Sequence, residues 1–433
     1  MIDLPSHHCP PWIIVRPSDV LSTLRPASQK IFMPKTPPSR FEFIALISLI
    51  TSLTAVSIDA MLPALRVIAT DLNVAEANNI QLIVSLFILG MVFGELIFGP
   101  LSDAIGRKRA ILAGLAVYAA GTLLAMTATS LEQILIGRII QGIGVSGPKI
   151  ASRALVRDQF EGAAMARIMS FIFMVFILVP MLAPAAGQFI LQIAGWRAIF
   201  LLYLGFGLVI ALWLGFRQPE TLAPSDRVKL SLPVLVHNAS LILRHRHVMA
   251  YTLAAGFVFG GQLLYLGTAQ AMFYDLYGID DDFPLYFAFL AFGIGLAAFS
   301  NSQLVLRVGM FRLAAIALAS MAILGGILGV TGLLYDGVPP LSMFLGTCFG
   351  LFCCVGLLFG NLNAMAMQSL GRIAGLGASM ISSISSLLAV ILAVAIGHTY
   401  DKTILPLSLG FTMAGLVALA LILAVNKSPA KEI

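Results

Sequence analysis

Charged side chains are nearly missing from this chain. Asp, Glu, Lys and Arg make up 11% of its 433 residues, against 59% hydrophobic ones, and the mean hydropathy is +0.97. A water-soluble domain of this length needs far more surface charge, so a soluble globular protein is excluded. Cysteine is equally scarce. Of Cys9, Cys348, Cys353 and Cys354, three lie in one apolar run, which argues against a disulfide framework and for small, polarizable packing. No grouping of His, Cys, Asp or Glu has metal-site spacing: His245-Arg246-His247 offers two lone histidines in a cationic stretch, a poor ligand set. No nucleophile–base set falls within the apolar runs either, so an enzyme is not expected. The net charge of +6 and pI near 9.2 would suit a nucleic-acid binder, but the placement of the cations argues against one.

What the chain does have is long apolar runs. A helix needs about 20 apolar residues to cross the hydrocarbon core. On that ruler the sequence predicts an all-α membrane protein with twelve spans, at 41–64, 79–101, 110–129, 131–152, 168–192, 197–217, 249–274, 284–306, 312–334, 341–368, 375–397 and 404–426. Residues 1–40 carry eight prolines and no sustained apolar run. They read as a disordered cytoplasmic tail, or as an over-extended start with Met33 as the initiator. Residues 218–248 form the long internal loop. It divides the membrane part into a six-helix bundle over 41–217 and another over 249–426, and 427–433 make a second tail.

Between the second and third spans lies Gly99-Pro100-Leu101-Ser102-Asp103-Ala104-Ile105-Gly106-Arg107-Lys108-Arg109, a tight cationic turn. Positively charged loops are retained in the cytoplasm, so this turn orients the chain. All but five of the 26 cations then fall in cytoplasmic segments. The exceptions are Arg66, Arg197 and Lys402 in outer loops and Arg138 and Lys149 inside the fourth span. Outer loops collect Asp71, Glu76, Glu132, Asp275, Asp280, Asp281, Asp282, Asp336 and Asp401. The basic pI is therefore a signal of topology, and both termini face the cytoplasm.

Charges inside spans are costly and mark function unless they reach water or a partner. Asp59 lies near the outer end of the first span, in Ser57-Ile58-Asp59-Ala60-Met61-Leu62-Pro63. It is a candidate titrating group, or its carboxylate reaches the outer interface. Arg138 sits at similar depth, roughly 10 Å from the outer end of the fourth span. A pair with Asp59, or a shared aqueous cavity, is the arrangement expected for the two. Glu95 lies about 12 Å from the cytoplasmic end of the second span. It either takes part in transport or is a buried carboxyl kept neutral between helices. Lys149 is expected to snorkel to the cytoplasm. Pro180 and Pro184 in the fifth span remove two backbone hydrogen bonds on one face and should bend it.

The second half repeats the first in outline. Placing Gly309 on Gly106 sets Leu304 on Leu101 and Arg312 on Arg109. Two parallel halves related across the membrane normal are expected. Spans seven to twelve hold no Asp, Glu, Lys or Arg in their apolar parts, so a coupling carboxylate must come from the first half. Gln141 of the first half, with Gln262, Tyr265 and Asn361 of the second, are candidate cavity residues.

Gly99–Arg109 resembles the loop signature of the major facilitator superfamily (G-x-L-x-D-x-x-G-R-K/R), with Gly99, Leu101, Asp103, Gly106, Arg107 and Lys108 matching and Ala104 where a cation is usual. Arg138, Gln141, Gly142 and Gly144 match the R-x-x-Q-G-x-G motif of the fourth helix. The fifth-span stretch resembles the antiporter motif in part, through Pro184 and Gly187. The finer pattern is similar to the bicyclomycin-resistance-like (Bcr/CflA) drug:proton antiporters, in Ser57-Ile58-Asp59, Leu62–Leu65, Ala154–Asp158, Gly195-Trp196-Arg197 and Tyr274–Gly278. Glu95 departs from that pattern, where Gln is expected.

That resemblance implies a major-facilitator fold of two six-helix bundles, and an exporter in the bacterial inner membrane. It implies proton-coupled efflux of small, largely apolar drugs, with Asp59 and Arg138 near the cavity. The proton gradient would be the energy source, with no cofactor and no metal. Protons, a small-molecule substrate and the lipid bilayer would be the partners of a monomer, without nucleic acid. Gly99, Asp103, Gly106, Arg107 and Lys108 would form a conformational gate, with Asp103 bracing the cytoplasmic contact between halves. A major-facilitator transporter of a native metabolite is the alternative reading.

Overall fold

A computed structural model describes residues 39–426, apart from 161, 229–230 and 371–373. The two terminal tails, Cys9 and Met33 lie outside the described residues. The chain enters the first helix through Ser39, whose Oγ accepts from the Glu42 amide at 3.1 Å, the usual N-cap bond. Helix α1 runs Arg40–Asp59 and stops there. A 3-10 turn at Leu62–Ala64 and a short helix α2, Leu65–Asp71, continue the span. The unbroken helix expected to residue 64 is thus interrupted directly after Asp59. Pro63 lacks an amide hydrogen and disfavours helical geometry in the residue before it, which accounts for the break.

The first half continues with α3 (Leu82–Ile105), α4 (Arg107–Met126), α5 (Leu131–Gln159), α6 (Gly162–Ala194) and α7 (Arg197–Arg217). Helix α5 overshoots its apolar run by two turns. A hydropathy ruler sees only the membrane part, and Arg153 and Arg157 extend the helix into water. Pro180 and Pro184 both sit inside α6, which continues through them.

The segment 218–248, expected as a polar loop, contains helix α8, Leu232–Arg244. Its Ile242 is buried with Val248, Ala366, Leu370, Met380 and Ile381, and Ala239 packs beside them. Apolar residues at helical spacing, hidden among polar neighbours, made this helix. The second half comprises α9 (Arg246–Tyr277), α10 (Phe283–Val308), α11 (Met310–Leu334), α12 (Leu341–Met367), α13 (Ala374–Gly397) and α14 (Leu405–Asn426). Among the described residues there is no strand.

Ten of these segments are long and apolar enough to cross a membrane, and α5 and α6 complete the twelve. Their outward faces expose residues such as Phe93, Ile97, Phe189, Leu208 and Phe216, as a lipid-facing surface requires. Within the first half α4 and α3 pack on α5. Within the second, α9 packs on α13 and α14, and α10 and α11 on α12. The halves meet along α3 against α13 and α6 against α10.

The repeat is visible in the backbone. Gly106 ends α3 and begins α4 at φ 103° and ψ 156°, and Gly309 ends α10 and begins α11 at φ 86° and ψ 149°. Each turns the chain through a left-handed conformation that glycine adopts at no steric cost. The degenerate second copy has kept this geometry although Leu306, Met310 and Phe311 stand where Asp103, Arg107 and Lys108 do in the first.

Candidate translocation site

Arg138 is the largest fully buried side chain, at 0% exposure between α1, α3 and α4. Its Nε donates to the Ile83 carbonyl (3.0 Å), Nη1 to Gln141 Oε1 (2.6 Å) and Nη2 to the Ser57 carbonyl (2.9 Å). The guanidinium lies 4.3 Å above the Phe87 ring. A second layer fixes these acceptors. Gln141 Nε2 donates to Thr122 Oγ1 (2.9 Å), which donates to the Tyr118 carbonyl (2.7 Å), and Ser57 Oγ shares a hydrogen bond with Tyr118 Oη (2.7 Å).

The direct pair expected between Asp59 and Arg138 is not formed in this conformation. Asp59 is buried at 5% exposure where α1 breaks, and it enters none of the ion pairs among the described residues. Arg138 reaches instead the backbone carbonyl two residues before it. Each guanidinium nitrogen already donates to a neutral acceptor, so the two residues are linked through the end of α1. Gly187 of α6 packs against the Ala60 carbonyl so closely that no Cβ fits, which holds α6 against the break. Pro184, one turn earlier, is buried and Pro180 half-buried.

Glu95 is fully buried at 0%, and Lys149 does not snorkel: its Nζ makes an ion pair with Glu95 Oε1. A carboxylate within reach costs less than stretching a four-carbon stem past α3. Lys149 lies eleven residues after Arg138, three turns along the same face of α5. That spacing was the available signal for it.

At the basic end, Arg107 pairs with Asp103 and, through Nε at 3.0 Å, with Asp158 of α5. The Glu220 carboxylate accepts from the Arg107 amide (2.8 Å) and the Lys108 amide (3.2 Å), neutralising the N-terminus of α4. Lys108 Nζ donates to the Gly215 carbonyl at 2.7 Å. Asp103 accepts through its own carbonyl from the Val228 amide (3.1 Å), so its bond is to the linker after α7. Of the candidate gate residues, Gly99 abuts the second half: an added Cβ would fall 2.5 Å from Ser379 Oγ.

The opposite end is sealed by polar bonds between halves. The Arg66 amide donates to Gln270 Oε1 (3.2 Å) while Gln270 Nε2 donates to the Pro63 carbonyl (3.2 Å). Asn78 Nδ2 donates to the carbonyls of His398 and Tyr400, and Gln81 Nε2 to that of Gly397, all at 3.1 Å. Arg66 pairs with Asp280 and stacks on Tyr274.

The model of the Major Facilitator Superfamily matches residues 46–393, most of the chain and nearly all of its spans. The chain belongs to the major facilitator superfamily. It is 31% identical to the bicyclomycin resistance protein homolog of Haemophilus influenzae, over 89% of this chain and 95% of that one. It is also 31% identical to multidrug resistance protein D of Escherichia coli, over 41% of this chain and 46% of the relative. The solved D-xylose-proton symporter superposes with a TM-score of 0.73 at 16% identity, covering 91% of this chain and 99% of that one. The protein is a major-facilitator transporter, a multi-pass membrane protein and not an enzyme.

For a transporter of this superfamily, the candidate cavity residues are distributed unevenly. Gln141 is fully buried with both ends of its amide engaged, so it positions Arg138 and lines no cavity here. Tyr265 is fully buried in an edge-on contact with Phe352 (centroids 4.7 Å apart) and beside Phe287, its hydroxyl without a partner. Asn361 is tied to Asn301 Oδ1 (2.7 Å) and the Leu357 carbonyl. Gln262 is half-buried. These four do not form one wall. Asn78, Gln81 and Glu220 were not singled out by sequence reasoning. Each acts on a backbone group, which leaves no pattern of side-chain types to find.

Proposed function

We propose that this transporter exports small, largely apolar drugs from the bacterial cytoplasm in exchange for protons. The observation that carries the reading is Asp59, a carboxyl buried at the break of a membrane helix, two residues after the Ser57 carbonyl that a fully buried guanidinium holds. An acid so placed is costly in its ionised form unless it is paired or hydrated, and an intramembrane carboxyl that bears this cost marks a functional group. The second half, with uncharged spans and aromatic clusters, suits an apolar substrate. Two similar proteins are named for bicyclomycin and multidrug resistance, which supports the drug class. Asp59 carries the coupling proton, Arg138 holds the broken end of α1 in register, and Glu95 is a second acidic group on the same half. Gly99, Asp103, Gly106, Arg107 and Lys108 govern opening at the basic end, while Pro180, Pro184 and Gly187 keep α6 against the break. The basic end faces the cytoplasm of a bacterial inner membrane with both termini inside, and the monomer is the working unit. The proton gradient drives the exchange.

In everted vesicles of cells expressing the protein, adding chloramphenicol or bicyclomycin should release protons in the wild type and not in Asp59→Asn. An unchanged drug-driven pH signal in Asp59→Asn would sink the proposal. Unaltered susceptibility to a broad antimicrobial panel, together with uptake or export of a metabolite, would redirect it to metabolite transport.

A further inference from the structure

Glu95 lies on a border. On one side of it, α3 packs on α5, where Ser146 Oγ donates to the Met91 carbonyl at 3.2 Å. On the other, α3 packs on α13 of the second half: Ser383 Oγ donates to the Val92 carbonyl at 3.0 Å, and Gly99 abuts Ser379. Val92, Glu95 and Gly99 are spaced by three and four residues and share one side of α3. Ser379 and Ser383 are spaced by four on α13. Glu95 therefore lies on the side of α3 that borders the seam between the halves, at a level between those two serines.

The Glu95–Lys149 pair is incompletely satisfied. Glu95 Oε2 is buried without a hydrogen-bond partner, and so is Ser379 Oγ across the seam. Lys149 holds only Oε1 and retains 18% side-chain exposure. Taking two charges out of water costs several kcal/mol per ion, and only complete hydrogen bonding repays it. A pair left half-bonded is a poor stabilising device and a good candidate for a group that changes its protonation. Besides Lys149, α5 carries Glu132, Arg138, Arg153, Arg157 and Asp158, and α3 carries Asp103; among the described residues none of these makes an ion pair with Glu95. Helix α13 has no titratable side chain in Ala374–Gly397. Helix α4 carries Arg107, Lys108 and Arg109 at its start and Tyr118 beside Ser57, and α9 carries Arg246, His247 and Tyr251 toward the basic end. No hydrogen bond or ion pair joins any of these to Glu95 among the described residues.

We infer that Glu95 and Lys149 form a second proton-exchange couple, whose access to water at the basic end is set by the α3–α13 seam. With the seam closed, as here, the two are an ion pair whose carboxylate is fully buried. With it opened at Gly99, water reaches Oε2, which takes up or releases one proton; the O–H bond forms or breaks there, and Lys149 keeps its ammonium throughout. This deepens the proton-coupled reading by giving the cycle an exchange site on one side of the membrane, and it rests on that reading for its role in transport.

Two measurements test it. In nanodiscs, infrared difference spectra across a pH step should contain a protonated-carboxyl band that Glu95→Gln removes. In Ser379→Phe, whose ring wedges the seam, the midpoint of that band should move by at least one pH unit. A band and midpoint identical in wild type and Glu95→Gln would overturn the inference, whatever transport does. In everted vesicles, where the basic end faces the bath, the chloramphenicol-driven pH signal of the wild type should depend on bath pH. The doubly neutral Glu95→Gln/Lys149→Gln variant keeps a bonded pair and should keep its thermal stability, yet lose that dependence by at least tenfold. Full rescue of the wild-type profile by the double variant would make the pair merely structural. Loss of all proton signals in the wild type would instead sink the transport reading, while the infrared result still decides the couple.

Discussion

Arg138 shows why a charge of one kind cannot replace another here. Its planar fork reaches carbonyls of α1 and α3 and the Gln141 amide at once, at 2.9, 3.0 and 2.6 Å. A lysine offers a single point of charge and cannot span them. Each charge-assisted bond contributes about 1.5–3 kcal/mol, and an acceptor left unpaired in a dry interior costs a similar amount. Arg138→Lys should therefore lower the thermal unfolding temperature in detergent as well as abolish efflux. Gln141→Leu, which removes one acceptor and strands Thr122, should cost less. Equal stability of Arg138→Lys and wild type would show that the fork is not what holds α1. The sequence announced Arg138 and Asp59 because charge inside an apolar run is visible by itself. It could not announce that Arg138 bonds a carbonyl, since every residue has one. Of the two arrangements expected for them, a pair or a shared cavity, the direct pair is not formed in this conformation: backbone acceptors compete with a carboxylate and carry no signature.

At the scale of the element, the two glycine turns form an internal control. Gly106 and Gly309 hold nearly the same backbone, so a Cβ strains both by about 1–2 kcal/mol. Their surroundings differ. At Gly106 the added carbon would collide with the Glu220 carboxylate that caps α4, whereas at Gly309 it meets open space. Gly106→Ala should thus destabilise by more than Gly309→Ala, and Glu220→Ala in the same chain should shrink the difference. Thermal unfolding of the single and double variants measures it; equal losses at both glycines would show that the Glu220 cap does not constrain the Gly106 turn. The spans were legible because membrane helices must be long and apolar, and the turn because its spacing is tight. The break after Asp59 was legible only in part. Pro63 stood in plain view, but a proline near a helix end is compatible with both a stop and a kink. Helix α8 was missed because a short amphipathic stretch among cations reads as loop until the surface that buries Ile242 is known.

For the whole molecule, the halves touch at both ends, and the contacts differ in kind. Toward the basic end the seam closes by packing of Gly99 on Ser379, with a bond from Ser383 to the Val92 carbonyl deeper in the membrane. At the acidic end it closes by side-chain amides on backbone carbonyls, from Asn78, Gln81 and Gln270. Such bonds contribute about 0.5–1.5 kcal/mol each, so together they favour closure by several kcal/mol, and about 1.4 kcal/mol shifts a two-state population tenfold. The triple variant Asn78→Ala/Gln81→Ala/Gln270→Ala removes them while leaving the buried Arg138 network and the α3–α13 packing intact. Spin labels at Thr129 in the first half and Lys402 in the second, both exposed at the acidic end, report the gap. Pulsed dipolar spectroscopy should give a longer and broader distance distribution in the triple variant than in the labelled parent. An unchanged distribution would mean that the amide bonds follow closure without driving it, and that the packed seam alone sets the balance between the two open states.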